Sequence, residues 1–335
     1  METIILRSDQ LLRLFYLTFG SFILAFGLTP VLTYFLYKYK VWKQIREGST
    51  PVFTALHQKK AGTPTMGGIL VWLTTAVLTL FFNLSRGQTY LPLFTLVTAG
   101  VIGFVDDYLN IRGIGPFKGM RARHKFLLQL LIGIVGAWWF FYKLEFRQFH
   151  IPMVGDFQIG WWYFPLFIFV IVATTNAVNI TDGLDGLAAG LLTQAFGAYA
   201  FIALVQGNLG IALFCGTIAG SLLAFLWFNI YPARFFMGDT GSLALGATLG
   251  VIAMLTDTII VLPIVGFVFV LETLSVIIQL SYKKITGGKK ILKSAPLHHH
   301  LEAIGWPEAK VTMRLWVIGG VFVVIGMLAA LLARG

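Results

Sequence analysis

The chain has one cysteine, Cys215, and it lies inside an apolar run. No internal disulfide can form, and no cluster of thiolates is available to hold a metal. Charge is scarce too: 12% of the 335 residues are charged and 57% are hydrophobic. A soluble domain carries about a quarter of its residues charged, so that class is excluded. Acids are scarcest of all, 14 against 25 Lys and Arg, which leaves a formal net charge of +11. Fixed-period repeats and low-complexity linkers are missing. No cleavable signal peptide is evident, because Met1–Gln10 is mixed in charge and the run after it is long enough to span.

What the chain does have is long apolar segments. Ten can be read, at residues 12–36, 67–84, 90–109, 125–142, 161–180, 186–205, 209–228, 242–256, 259–282 and 313–333. Most approach the length of about 20 residues that crosses a bilayer as a helix. The expected fold is therefore an all-α polytopic integral membrane protein with about ten transmembrane helices. Residues 1–335 form a single integral domain. The ninth segment carries Pro263 and Gly266, which predicts a bend or break there.

Orientation follows from Lys and Arg. The loops after the odd-numbered segments hold 18 of the 25, and the opposite face holds 6. Positive charge marks the cytoplasmic side, so the odd loops are expected inside and both termini outside. Most of the basic excess is then topology, and nucleic acid is not an expected partner. The long outer loop, residues 143–160, alternates apolar residues around Val154-Gly155-Asp156. That pattern predicts a small hairpin, with Trp161 and Trp162 in the interfacial aromatic belt.

Five polar stretches gather on the inner side. The central one runs Asn176-Ala-Val-Asn179-Ile-Thr181-Asp182-Gly-Leu-Asp185-Gly186, between two apolar runs. Thr181 or Asp182 could cap the next helix, but capping accounts for one or two of these residues only. Polar groups at a membrane edge are costly without a cavity or partner, so the cluster marks a functional site. Another stretch, His57 to Gly68, contains Lys59, Lys60 and Thr63-Pro-Thr65-Met-Gly-Gly68; such turns can cradle an anion before a helix. The third segment ends in Asp106-Asp107-Tyr108, at the helix end where negative charge is disfavoured. Two acids there call for a cation or a proton-transfer task. Asn229 to Ser242 holds Asp239 among glycines, and Ala295 to Glu302 holds His298-His299-His300. Adjacent histidines diverge, so a shared transition-metal site is disfavoured against phosphate or carboxylate recognition. Five of the eight aspartates fall in these stretches. Oxygen ligands, lysines and glycine turns without thiols suit Mg²⁺ and phosphate chemistry. A site at the membrane surface suits one lipid and one soluble substrate.

These five stretches, in this order from Thr63 to Glu302, resemble the polyprenyl-phosphate N-acetylhexosamine-1-phosphate transferases. The three histidines resemble the muramoyl-pentapeptide branch. The resemblance implies that undecaprenyl phosphate attacks UDP-N-acetylmuramoyl-pentapeptide, giving lipid I and UMP, on the inner face of the bacterial cytoplasmic membrane. It also implies Mg²⁺ on Asp239, with Asp106 and Asp107 as the acid pair. Uridine contacts carry over to Asn179, Asp182, Gly183, Leu184, Asp185 and Phe236, with Lys60 and Thr65 near the nucleoside. Lys125, Asn176, Asn229 and Gln279 match polar positions lining the cleft. His298, His299 and His300 match the histidine motif beside the sugar-peptide end. Asn110 stands where some members have lysine near the uracil, so that contact is not carried over. Relatives are dimers, which extends the resemblance to a homodimer. Glu272, inside the ninth segment, receives no role. A sister transferase using UDP-N-acetylglucosamine is the near alternative. An ion-coupled transporter is the distant one, but its polar groups would lie at the midplane.

The charge count makes a direct prediction. In a Cys215→Ala background, a cysteine at Gln88 or Gly155 should react with an impermeant thiol reagent from outside. One at Gly288 should react only after permeabilisation. The reverse pattern would overturn the orientation.

Overall fold

The computed structural model describes residues 8–42, 62–115 and 119–332. Each of the ten apolar segments becomes helix. They are α1 (Ser8–Lys38), α2 (Ile69–Phe82), α3 (Tyr90–Ile111), α4 (Ala122–Lys143), α5 (Tyr163–Thr181), α6 (Leu187–Val205), α7 (Leu209–Asn229), α8 (Asp239–Leu255), the pair α9 (Leu262–Val265) and α10 (Phe267–Ile285), and α12 (Glu308–Leu332). A short α11 (Leu297–Ala303) carries the histidines. Among the described residues, seven helices are long and apolar enough to cross a membrane, and α2 and α8 are shorter apolar helices. The chain is an all-α, multi-pass membrane protein.

The outside of the bundle is as apolar as its inside. Phe81, Phe169 and Val317 are 78%, 68% and 69% exposed, which only a hydrocarbon solvent tolerates at this density. The inside is organised around α8, in which every residue from Asp239 to Leu255 is buried. Small residues make that possible. A Cβ at Gly246 would stand 2.8 Å from the Thr175 Cα, and one at Gly250 2.6 Å from the Thr174 hydroxyl, both on α5. Glycine lets the two backbones meet, and dispersion replaces the hydrophobic drive that lipid cannot supply. Helices α3 and α5 flank α8 most extensively, while α1 and α6 lie against α7. Cys215 is fully buried in α7.

The expected hairpin forms. Strands β1 (Gln148–Ile151) and β2 (Gly155–Gln158) pair antiparallel, His150 opposite Asp156. Trp161 and Trp162 follow it, 65% and 75% exposed. The ninth segment breaks at Gly266, which ends α9 and begins α10. Pro263 does not cause the break. It occupies the first turn of α9, where no intrahelical N–H is needed.

Candidate active site

The polar stretches meet at one end of the bundle, and the meeting begins with backbone. Phe236 N–H donates to the Pro64 carbonyl (2.8 Å), Gly67 N–H to Phe236 (2.8 Å) and Gly68 N–H to Met237 (2.9 Å). The Thr-Pro-Thr-Met-Gly-Gly run is thus laced to the Phe-Met-Gly-Asp run. The lacing ends at Gly238, whose φ of +76° strains any residue with a Cβ. A Cβ there would also lie 2.7 Å from the Thr65 hydroxyl and 3.0 Å from the Met66 nitrogen. Asp239 comes next, as the first residue of α8. A carboxylate at a helix N-terminus is favoured by the helix dipole.

Helix α3 delivers the acid pair to the same place. Thr240 N–H donates to Asp107 Oδ2 at 3.0 Å, so Asp107 caps α8 from the end of another helix. This answers the charge problem at the end of α3, because the carboxylate that one dipole disfavours sits on the favourable pole of the next. Asp106 diverges from it, as i and i+1 side chains do. It accepts from Met120 N–H at 2.6 Å and pairs with Lys125 Nζ. The same ammonium lies 2.6 Å from Asp239 Oδ2. Asp106, Asp107 and Asp239 are all buried, 3%, 1% and 6% exposed. A buried carboxylate needs a charge or donor partner, and one lysine partners two of them.

The asparagines of the central stretch line the approach. Asn179 Nδ2 donates to Ser242 Oγ (2.8 Å) on the first turn of α8. Asn176, one turn earlier, donates to Gln129 Oε1 (2.8 Å) on α4. Thr65 is 1% exposed and its hydroxyl makes no hydrogen bond. Phe236 and Asp182 are half-buried, and Leu184 is buried.

Three residues expected to face substrate hold loops together. Asp185 N–H donates to Glu308 Oε1 (2.7 Å), and Asp185 Oδ2 accepts from Ala233 N–H (3.0 Å). Asn229 spans two loops, accepting from Gly186 N–H (3.1 Å) and donating to the Phe235 carbonyl (2.9 Å). Gln279 accepts from Ile291 and Leu292 and donates back to the Leu292 carbonyl, all within 3.0–3.1 Å. Each is a polar clasp that satisfies backbone groups of the loops it joins.

The histidines diverge, as adjacent side chains must. His300 Nδ1 accepts from Lys293 N–H at 3.2 Å, and His299 Nδ1 meets Glu302 Oε2 at 2.9 Å. His298 turns inward, 0% exposed, with its Nε2 against Gly183 where any Cβ would collide. Glu272, on α10, receives it: Oε2 lies 3.0 Å from His298 Nδ1 and 3.3 Å from its backbone N–H. Both side chains are wholly buried, and His298 Nε2 and Glu272 Oε1 make no hydrogen bond. Sequence reasoning gave Glu272 no role. The signal was an acid within an apolar segment, which by default has a partner. Glu308, Gln129 and Ser242 also went unremarked. Lys60 lies outside the described residues, and Asn110 is buried at the end of α3.

Among the described residues no three His, Cys, Asp or Glu side chains form a ready metal cage. Mg²⁺ does not ask for one: it takes one or two carboxylates and completes its shell with phosphate oxygens and water. Asp106 and Asp239 converging on one positive charge are such a pair, with the lysine ammonium standing in for a cation.

Comparison with known proteins fits this geometry. Residues 89–257, half of the chain, match the glycosyl transferase family 4 model. Residues 60–70 match the phospho-N-acetylmuramoyl-pentapeptide-transferase signature 1. A phospho-N-acetylmuramoyl-pentapeptide-transferase of Geobacillus thermodenitrificans is 43% identical over 316 residues, 92% of this chain and 94% of the relative. One of Chloroflexus aurantiacus is 41% identical over 338 residues, 97% and 91% of the two chains. One of Bacillus anthracis is 41% identical over 318 residues, 92% and 94%. The chain belongs to this transferase family. The carboxylate–lysine cluster of α3, α4 and α8 lies within residues 89–257.

Two predictions come from the histidine helix. Removing one partner of a buried pair strands the other, at about 1–3 kcal/mol. Glu272→Ala and His298→Ala should each lower the thermal midpoint in detergent, and the double variant should lose less than the sum. Additive losses would show that the pair is not coupled. The other concerns pH. Burial, against weaker opposition from Glu302, holds the His299 imidazole below its ordinary value of 6.5. Below that value the unfolded chain takes up a proton that the folded chain refuses, so stability falls as pH drops through about 6.5 and levels off beneath the folded value. His299→Gln should flatten that part of the melting-temperature profile. An unchanged slope would assign the fall to other groups.

Proposed function

We propose that this protein transfers phospho-N-acetylmuramoyl-pentapeptide from its UDP conjugate to undecaprenyl phosphate, releasing UMP and forming lipid I, the first membrane step of peptidoglycan synthesis. The observation that carries the reading is Lys125 Nζ held by both Asp106 and Asp239, at the end of the bundle where the five stretches meet. The full-length similarity to transferases of that name supports it. The ten helical segments would all cross or dip into the cytoplasmic membrane, with both termini outside and the site facing the cytoplasm. The charge distribution supports that orientation.

In the proposed reaction an oxygen of the lipid phosphate forms a bond to the β-phosphorus, and the bond from that phosphorus to the oxygen bridging it to UMP breaks. UMP leaves with the electron pair. Asp239, with Asp106 beside it, would hold Mg²⁺ against the diphosphate; the ion when bound offsets charge developing on the leaving phosphate. Lys125 keeps the two carboxylates together and adds positive charge for the diphosphate. Asp107 positions α8 through Thr240 N–H. Asp106 would accept any proton left on the lipid phosphate. With a second pKa near 6 for a phosphomonoester, that proton is mostly gone at neutral pH. The nucleoside would lie among Lys60, Thr65, Asn179, Asp182, Gly183, Leu184 and Phe236. Asp185, Asn229 and Gln279 hold the walls, and Asn176 fixes α5 to α4. His298 would meet the sugar-peptide end, with His299 and His300 shaping its loop. A homodimer in the bilayer is part of the proposal, by likeness to relatives.

Turnover tests these roles. Purified protein with undecaprenyl phosphate, Mg²⁺ and each UDP-sugar in turn should release UMP from the muramoyl-pentapeptide conjugate. Release from UDP-N-acetylglucosamine instead would favour the sister transferase. Asp239→Asn should abolish turnover, and any residue of activity should need more Mg²⁺. An unchanged half-saturating concentration would remove Asp239 from the metal. Asp106→Asn should lose about 10² to 10⁴ in rate, the usual size of a general-base or positioning loss, while UMP still binds. Near wild-type turnover in that variant would exclude Asp106 from the chemistry.

A further inference from the structure

A second pocket, of about 640 Å³, lies where the end of α1 meets the end of α7 and the loop after it. Thr33, Tyr34, Tyr37, Lys38, Phe228 and Arg234 line it. It shares no residue with the carboxylate cluster. Lys38 and Arg234 are both exposed, and among the described residues neither is in an ion pair with a carboxylate. Each faces a ring: Lys38 Nζ is 5.3 Å from the Tyr34 centroid, and the Arg234 guanidinium 5.9 Å from that of Phe228. Tyr37 Oη donates to the Arg234 carbonyl at 3.0 Å, which fixes the loop cation against the helix cation. Among the described residues the pocket is therefore basic at its mouth, with no acid in its lining.

Pro30 and Phe228 give it an apolar side, with Thr29 and Thr33 beside them. Around it stand exposed aromatics: Tyr34 at 59%, Tyr39 at 65%, Trp227 at 68% and Tyr231 at 53%. Aromatic residues at such density mark the headgroup level of a bilayer, and basic pockets between transmembrane helices there receive anionic headgroups. A free phosphate would use the mouth and leave the apolar side bare. A molecule with an anionic phosphate and a hydrocarbon tail uses both.

We propose that this pocket binds the headgroup of an anionic bilayer phospholipid, its phosphate between Lys38 and Arg234 and an acyl chain along Pro30 and Phe228. The site is a lipid-binding site separate from the transferase centre. Ala233, next to Arg234, donates to Asp185 Oδ2, so the occupied pocket steadies the segment that leads to Asp239.

The test is native mass spectrometry of the detergent-purified full chain titrated with phosphatidylglycerol. Each cation near an anionic headgroup contributes about fivefold in affinity, so Lys38→Gln and Arg234→Gln should each weaken binding about fivefold and the pair roughly 30-fold. The single variants keep the test valid should the pair fold poorly. Lys143→Gln with Arg147→Gln, at the other end of the bundle, should leave binding unchanged. Four results would overturn the proposal: equal binding of phosphatidylcholine, competition by millimolar inorganic phosphate, preference for a polyprenyl monophosphate, or a change of oligomeric mass in place of lost lipid.

Discussion

The site depends on one backbone approach. At Gly103 the α3 helix touches the start of α8 so closely that a Cβ would lie 2.6 Å from the Thr240 Cα. Gly103 is one turn before Asp106 and Asp107, on the same side of the helix by the 3.6-residue repeat. Contact there places both carboxylates at the α8 N-terminus. Thr240 then locks the crossing: its hydroxyl donates to the Gly100 carbonyl (2.9 Å) and accepts from Trp72 Nε1 (3.1 Å). Its amide meets Asp107. Without the glycine the helices would separate, and Asp106 and Asp239, from two distant stretches, would no longer share a cation.

That sharing defines what the site can accept. Two buried carboxylates share one lysine ammonium, and Asp107 is buried beside them. A diphosphate brings more negative charge, and at short range inside a low dielectric the repulsion is large. An added cation would offset that repulsion. This argument for the proposed Mg²⁺ uses the charges alone and agrees with the hard-oxygen character of the ligands.

Much of this was legible in the sequence. The ten apolar segments, the hairpin around Val154-Gly155-Asp156 and the break near Gly266 follow from composition and periodicity, which are local properties. Clustering of the polar stretches followed from counting Lys and Arg loop by loop. Directions of side chains were not legible. Asp106 and Asp107 are neighbours in sequence, yet one pairs with Lys125 and the other caps α8. Only the crossing at Gly103 decides which does which. Pro263 and Gly266 both looked like breakers, and helix register alone shows that the glycine breaks and the proline begins.

Asp185, Asn229 and Gln279 show why polar loop residues are hard to assign. A cleft at a membrane edge needs polar side chains for its ligand and also for its own walls. The loop amides of Gly186, Ala233 and Leu292 are wholly or partly buried, so each is better with an acceptor from the fold. A carboxylate or amide that satisfies them has the same residue type, spacing and neighbours as one that reads a nucleotide. What separates the two roles is the count of unmet hydrogen-bonding atoms. Asn229 and Gln279 have both ends engaged within the fold. The Thr65 hydroxyl and His298 Nε2 are buried with no hydrogen bond. Buried polar atoms left in that state cost stability, and a ligand that reaches them recovers it. The same state occurs at Thr74, Thr79 and Tyr199 inside the bundle, so an unmet atom bears on the proposed substrate site only where, as at Thr65 and His298, it stands beside the polar stretches.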